Sequence, residues 1–282
     1  FKIFIILIYF LCLQSSDIVA NIKPIHSLVQ GVLGTTAKAN LLVTGKTSPH
    51  NFHLLPSHIR AINKAKIIFY IDDSFDSYLH KAFQNINPNT VLYPLMKSKG
   101  LNLLDSNHHH GNGKDMHIWL DTNNAKIMLN TIQRELSKVF PSNKAIYKKN
   151  VKKMLSQINN LEKYLSSLNF TKNTYLVFHD AYAYFETQWH LNNSAGSIKI
   201  DPTRQMSIVK LRELREKITS LKVKCIFKEP QFPDKVIKLI DVNNNVNISE
   251  LDILGSSITR GENLYSTLMT NLANNFYLCL SK

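Results

Sequence analysis

Short apolar or β-branched runs punctuate the chain at 18–22, 40–43, 66–71, 174–178, 197–200, 224–227 and 246–251. Most are followed by a segment whose apolar residues recur at helical spacing. Strands alternating with helices predict an α/β fold with parallel sheets. The runs fall into two groups, separated by 122–168, where nearly every residue favours helix. Pro141 breaks this stretch, because proline fits a helix's first turn but not its interior. Beyond Ser142, the positions of Ile146, Met154, Ile158, Leu161, Leu165 and Leu168 predict a helix of about 27 residues, roughly 40 Å long at 1.5 Å per residue. Such a rod can tie one α/β lobe to another. The expected organisation is a leader at 1–16, an N-terminal lobe at 17–140, a linking helix at 141–169 and a C-terminal lobe at 170–282.

Residues 1–13 (F-K-I-F-I-I-L-I-Y-F-L-C-L) form an apolar block with one lysine. The block is shorter than the roughly 20 residues that cross a bilayer, and polar Gln14, Ser15 and Ser16 follow it. It reads as a cleavable signal peptide, cut somewhere in 15–20, with part of the positive leader expected before residue 1. Phe10 and Leu11 are bulky where a lipidated Cys12 would need small neighbours. Removal of the leader leaves Cys225 and Cys279 as an even pair in an exported protein, so a disulfide is the default and two buried thiols the alternative. Closing a loop of about 55 residues stabilises by roughly 4 kcal/mol in the chain-entropy model.

The 282 residues carry 34 Lys and Arg against 20 Asp and Glu, a net charge of +14. With 44% hydrophobic residues general disorder is excluded, and nine Gly and nine Pro exclude collagen-like sequence. The basic excess raises nucleic acid as a partner. However, the lysines are spread along the chain beside many Asn and Ile, and the one dense run, K-A-I-Y-K-K-N-V-K-K at 144–153, looks like the polar face of a helix. No nucleic-acid module accompanies it. A solvated basic surface is the expectation, with no nucleic-acid partner.

Histidine carries the chemistry. His50 follows Pro49 just beyond a predicted strand, where ligand sites of α/β sheets gather. His117 lies among Met116, Ile118 and Trp119, an apolar setting in which a polar ring needs a partner. His179 directly follows the predicted strand Y-L-V-F and precedes Asp180, Ala181 and Tyr182, again at a strand's end opening a helix. Their spacings, like the step on to Asp252, are about 60–75 residues, which excludes a zinc finger, and no H-E-x-x-H is present. Ligands from four separate strand–helix junctions, two in each half, would meet in a cleft between lobes. Each histidine alone is more often structural; three at equivalent positions point to a metal site.

At these residues the chain resembles a known family. N-I-K-P-I-H-S-L-V-Q-G-V-L-G (21–34), S-P-H-N-F-H-L-L-P-S (48–57), M-H-I-W-L (116–120), F-H-D-A-Y-A-Y-F-E (178–186), E-P-Q-F (229–232) and L-D-I-L-G (251–255) are similar, in order, to the signature blocks of periplasmic zinc-binding proteins of high-affinity zinc ABC uptake systems. The resemblance implies two (β/α) lobes joined by one long rigid helix, with a metal ion between them. It implies His50, His117 and His179 as imidazole ligands and Asp252 as the carboxylate at or near the fourth position. It also matches Cys225 and Cys279 to cysteines bridged in Gram-negative members. The implied function is capture of Zn²⁺ in the periplasm and delivery to an inner-membrane ABC permease, by a monomer and without enzymatic turnover.

Two features depart from the family pattern. A long His-rich loop before the second ligand shrinks here to His108, His109 and His110, either a weak second metal site or a solvated loop. Some members carry a glutamate where this chain has Asp72, Asp73, Ser74 and Asp76, so Asp252 is favoured over Asp73 or water as the fourth ligand. Three imidazoles and one carboxylate suit Zn²⁺, whereas manganese-binding relatives put a carboxylate at the position of His179. Asp180 and Glu229 are candidates to orient the His179 ring. A manganese or iron receptor, a zinc hydrolase and a surface adhesin are the competing readings; no general base with motif spacing supports the hydrolase.

Overall fold

The computed structural model describes residues 17–106, 113–192, 194–199, 206–232, 234–240 and 246–281. The first half runs β1 (Ile18–Ile22), α1 (Lys23–Leu33), β2 (Asn40–Val43), α2 (Pro56–Lys64), β3 (Ile67–Tyr70), α3 (His80–Phe83), β4 (Val91–Pro94) and α4 (Thr122–Val139). After α5 (Lys144–Ser167) come β5 (Tyr175–His179), α6 (Ala183–Gln188), β6 (Ser197–Lys199), α7 (Ile208–Ser220), β7 (Cys225–Lys228), α8 (Lys235–Ile240), β8 (Asn247–Glu250) and α9 (Leu264–Leu280). The strands build two parallel sheets of the same topology, ordered β2-β1-β3-β4 and β6-β5-β7-β8. In each, the chain winds to one side of the first strand and then crosses to the other. Such a reversal opens a crevice at the carboxyl ends of the strands.

The strands read as continuous apolar runs because both faces of each sheet are covered. Ile18, Val19, Ala20 and Ile22 of β1 are all buried, as are Tyr175, Leu176, Val177 and Phe178 of β5. Prolines open α1 and α2, and Asp121 caps α4 by accepting hydrogen bonds from the backbone N–H groups of Asn123 and Asn124.

Three details differ from the sequence-based expectation. The edge strand β4 was not foreseen: it is four residues long, follows the turn-rich Asn87-Pro88-Asn89, and ends in Pro94, which an edge strand tolerates. The linking helix is 24 residues, about 36 Å, because Pro141–Asn143 forms a separate 3₁₀ turn before it and Leu168 is already extended. Its buried stripe is Tyr147, Val151, Met154, Ile158, Leu161 and Leu165; Ile146 is exposed, since Tyr147 holds the position one turn before Val151.

Helix α5 packs on α1, α4 and α9. The approach to α1 is close: a Cβ added at Gly31 would lie 2.5 Å from the Met154 sulfur. Helix α9 belongs to the second half yet packs on α1 and α5, so one apolar core runs through both halves, from Phe69 and Trp119 to Tyr265 and Phe276. A smaller core, including Leu176, Phe178, Ile198 and Ile226, covers the far face of the second sheet. The Cys225–Cys279 disulfide joins β7 to α9 across a Cα separation of 6.1 Å. Among the described residues, no helix is long and apolar enough to cross a membrane.

Candidate metal centre

Three imidazoles converge between the two sheets. His50 sits in the 3₁₀ turn Pro49–Asn51 beyond β2, where the Ser48 hydroxyl accepts a hydrogen bond from its backbone N–H. His179 is the last residue of β5. His117 departs from expectation: it lies well beyond β4, at the entry to the 3₁₀ turn Ile118–Leu120 that leads into α4. One potential ligand nitrogen from each ring lies within 4.8 Å of the others. His117 and His179 are buried, and His50 is partly exposed.

The second nitrogen of each buried ring is committed elsewhere. His117 Nδ1 lies 2.7 Å from Asp115 Oδ1, which also accepts the His117 backbone N–H at 2.8 Å. His179 Nδ1 lies 2.6 Å from Glu229 Oε1, and the Tyr182 hydroxyl donates to the same oxygen at 3.1 Å. A carboxylate only accepts, so each Nδ1 carries the proton and each Nε2 presents a lone pair. Those two Nε2 atoms face one another at 3.4 Å. Two bare lone pairs at that distance repel; a proton or a cation between them is needed. Tetrahedral zinc with Zn–N bonds of about 2.0–2.1 Å separates its nitrogens by about 3.3 Å.

Burial opposes protonation of His179 most strongly, but Glu229, Asp115 and Asp180 together outweigh it, Glu229 foremost, and the imidazole pKa is raised. A proton and a cation therefore compete for the same nitrogen. The cavity beside the rings has a volume of about 10 Å³, room for one ion or water, and its walls include Phe75, Trp119, Phe232, Ile253 and Leu254. Phe75 packs edge-on to His50 and His117 at centroid distances of 5.5 and 6.0 Å.

The carboxylates weighed for the fourth position are not brought into this group. Asp252 Oδ2 accepts hydrogen bonds from the Ser256 backbone N–H and hydroxyl, and its Oδ1 accepts from the Leu254 N–H. Asp73 accepts from the Tyr70 hydroxyl and Asp72 from Ser74. Asp76 is fully buried among Asn21, Tyr78 and the backbone of Ile71 and Asp72; burial pushes its pKa up to about 6 against those hydrogen bonds. Of the two residues proposed to orient His179, Glu229 occupies that place. Asp115 was missed, although an aspartate two residues before a ligand candidate was a readable signal. His108, His109 and His110 lie outside the described residues, as does 1–16.

Twin parallel sheets with an imidazole trio in the crevice between them define a two-lobed binding protein for a small cation. The chain belongs to the ZnuA family, zinc-uptake complex component A, periplasmic, whose family model matches residues 18–279. It is 31% identical to the high-affinity zinc uptake system protein ZnuA of Brucella suis, over 95% of this chain and 93% of that protein. A crystal structure of ZnuA superimposes with a TM-score of 0.81 at 22% identity, covering 93% of this chain and 98% of the other. The solute-binding protein FpvC from Pseudomonas aeruginosa, in complex with Mn²⁺, has the same fold, with a TM-score of 0.80 at 19% identity, covering 94% and 98%. Fold alone therefore does not choose the metal; the donor set has to.

Proposed function

We propose that this chain is the periplasmic receptor of a zinc uptake system, capturing Zn²⁺ between its lobes and passing it to an inner-membrane ABC permease. The observation that carries the reading is the pair of facing Nε2 atoms, 3.4 Å apart, each made a lone-pair donor by a carboxylate on its other nitrogen. That spacing is the edge of a zinc coordination tetrahedron. His50, His117 and His179 supply three neutral borderline ligands, and water is the fourth, since Asp252 is not among the side chains whose donor atoms meet within 4.8 Å. Residues 17–140 and 170–282 act as the lobes, with 141–169 linking them, and residues 1–16 serve as the export signal.

Capture proceeds from the partly exposed side. The ion meets His50, displaces its water and settles between the two buried rings, whose tautomers are already set. The shared core opposes wide opening of the lobes, so exchange depends on local movement at the cavity walls. Metal analysis of the purified protein, followed by competition of Zn²⁺ against Mn²⁺, tests the reading. A strong zinc preference that weakens in His179→Glu supports it; equal affinity of the parent for both ions contradicts it.

A further inference from the structure

The turn after β8, residues 251–258, contributes Ile253 and Leu254 to the wall of the metal cavity. It contains no helix or strand, so its shape depends on the groups that grip it. Lys23, at the start of α1 in the opposite half of the chain, is buried, and its ammonium donates to three carbonyls of this turn: Gly255 at 2.7 Å, Ser256 at 2.9 Å and Ile258 at 2.8 Å. An ammonium has three protons and no acceptor, so this set uses all of them. Asp252 holds the turn from within through Ser256. Trp119 Nε1 donates to Ile253 O at 2.9 Å, joining the turn to the residue two beyond His117. Gly45 closes the last side, where a Cβ would lie 3.2 Å from the Ser256 Cα.

We propose that Lys23 is a positioning residue for metal retention: by clamping residues 251–258 it holds Ile253 and Leu254 against the imidazoles, and the ion leaves when that clamp opens. This rests on the zinc-receptor reading. Lys23 touches no ligand, so its removal changes how long the ion stays and leaves the coordination unchanged. The geometry also gives Asp252 a part in this device instead of in the coordination sphere.

The test is stopped-flow kinetics of zinc uptake and of chelator-driven release in the parent, Lys23→Met and Asp252→Asn, with visible spectra of the Co²⁺-loaded proteins. Methionine keeps the chain's packing and removes the three charge-assisted hydrogen bonds; the Asn amide has one accepting oxygen where the carboxylate has two, so it cannot serve Leu254 and Ser256 together, and it carries no charge. Release is expected to accelerate about tenfold or more in each variant, with the association rate and the Co²⁺ ligand-field bands unchanged. A residue acting only on fold stability would lower the melting temperature without separating release from association. Should Lys23→Met fail to fold, Asp252→Asn decides. Unchanged release in folded variants overturns the proposal, as does a shifted Co²⁺ spectrum, which would put these residues at the ion. A parent that binds no zinc overturns the receptor reading and this one together; a parent that binds zinc while the variants release at its rate overturns this one alone.

Discussion

Replacing Glu229 separates the two functions its carboxylate performs on His179. In Glu229→Gln an amide oxygen can still accept from His179 Nδ1 and the Tyr182 hydroxyl, so the ring keeps its tautomer but loses the adjacent negative charge. In Glu229→Leu both donors are left buried without an acceptor. Loss of such an outer partner weakens metal binding by about 10–100-fold, which places the Gln variant near tenfold, about 1.4 kcal/mol, and the Leu variant near a hundredfold, about 2.7 kcal/mol. The pH dependence carries a second signature. Glu229 is the chief reason that the His179 pKa is raised despite burial. In the parent, protons therefore begin to displace zinc while the pH is still above the ordinary imidazole range. Without that charge, burial lowers the pKa, and the variant keeps an unprotonated ring to lower pH. Chelator-competition titrations from pH 8 to pH 5 should show the parent's advantage over Glu229→Gln shrinking as pH falls. A Gln variant that binds as tightly as the parent at pH 8, or a ratio that stays constant with pH, would refute this account of the carboxylate.

Asp115→Ala should weaken zinc binding by about 10–100-fold, since His117 loses its orienting acceptor, and isothermal titration against a competing chelator measures it. Glu186 is buried beside the Tyr175 hydroxyl and the Ser194 N–H, and burial pushes its pKa up to about 7. Its folded pKa exceeds the unfolded value of about 4.3, so its contribution is fully present below that value and is lost as pH rises through about 7. Denaturation series between pH 5 and pH 8 should show stability falling in the parent by up to about 3 kcal/mol more than in Glu186→Gln; identical slopes would count against it. Reduction of Cys225–Cys279, or its replacement by serines, should cost about 4 kcal/mol in urea unfolding, the chain-entropy value for a sequence separation of 54. Gly31→Val should destabilise by about 1–3 kcal/mol, and the companion change Met154→Ala should relieve part of that, a coupling that a double-mutant cycle detects.

The architecture was legible where burial on both faces of a sheet leaves an unbroken apolar run, as in β1 and β2, whose bounds match the predicted segments. It was not legible at β4, where four residues beside a turn carry too little pattern, nor at Tyr147, whose place in the buried stripe depends on where the 3₁₀ turn ends and α5 begins. The imidazole trio could be named because each ring stands in an apolar or proline-fixed context that a surface histidine does not need. Asp115, which was passed over, shows the limit, and Glu229 could be named only as a candidate beside Asp180. An acidic residue reads the same in sequence whether it faces water or a ring nitrogen, and only folding brings Glu229 to His179 across 50 residues. Asp252, a carboxylate in a signature block, here accepts hydrogen bonds within its own turn, a partnership that its sequence context does not announce.

The central claim is that His50, His117 and His179 hold one cation between the two sheets. A crystal grown with zinc and phased on its anomalous signal tests it most directly. The account predicts one strong peak with three imidazole nitrogens at about 2.0–2.1 Å and a water at the fourth corner. A peak bound by Asp252 in place of any of the three rings, or no peak between the sheets at all, would contradict it.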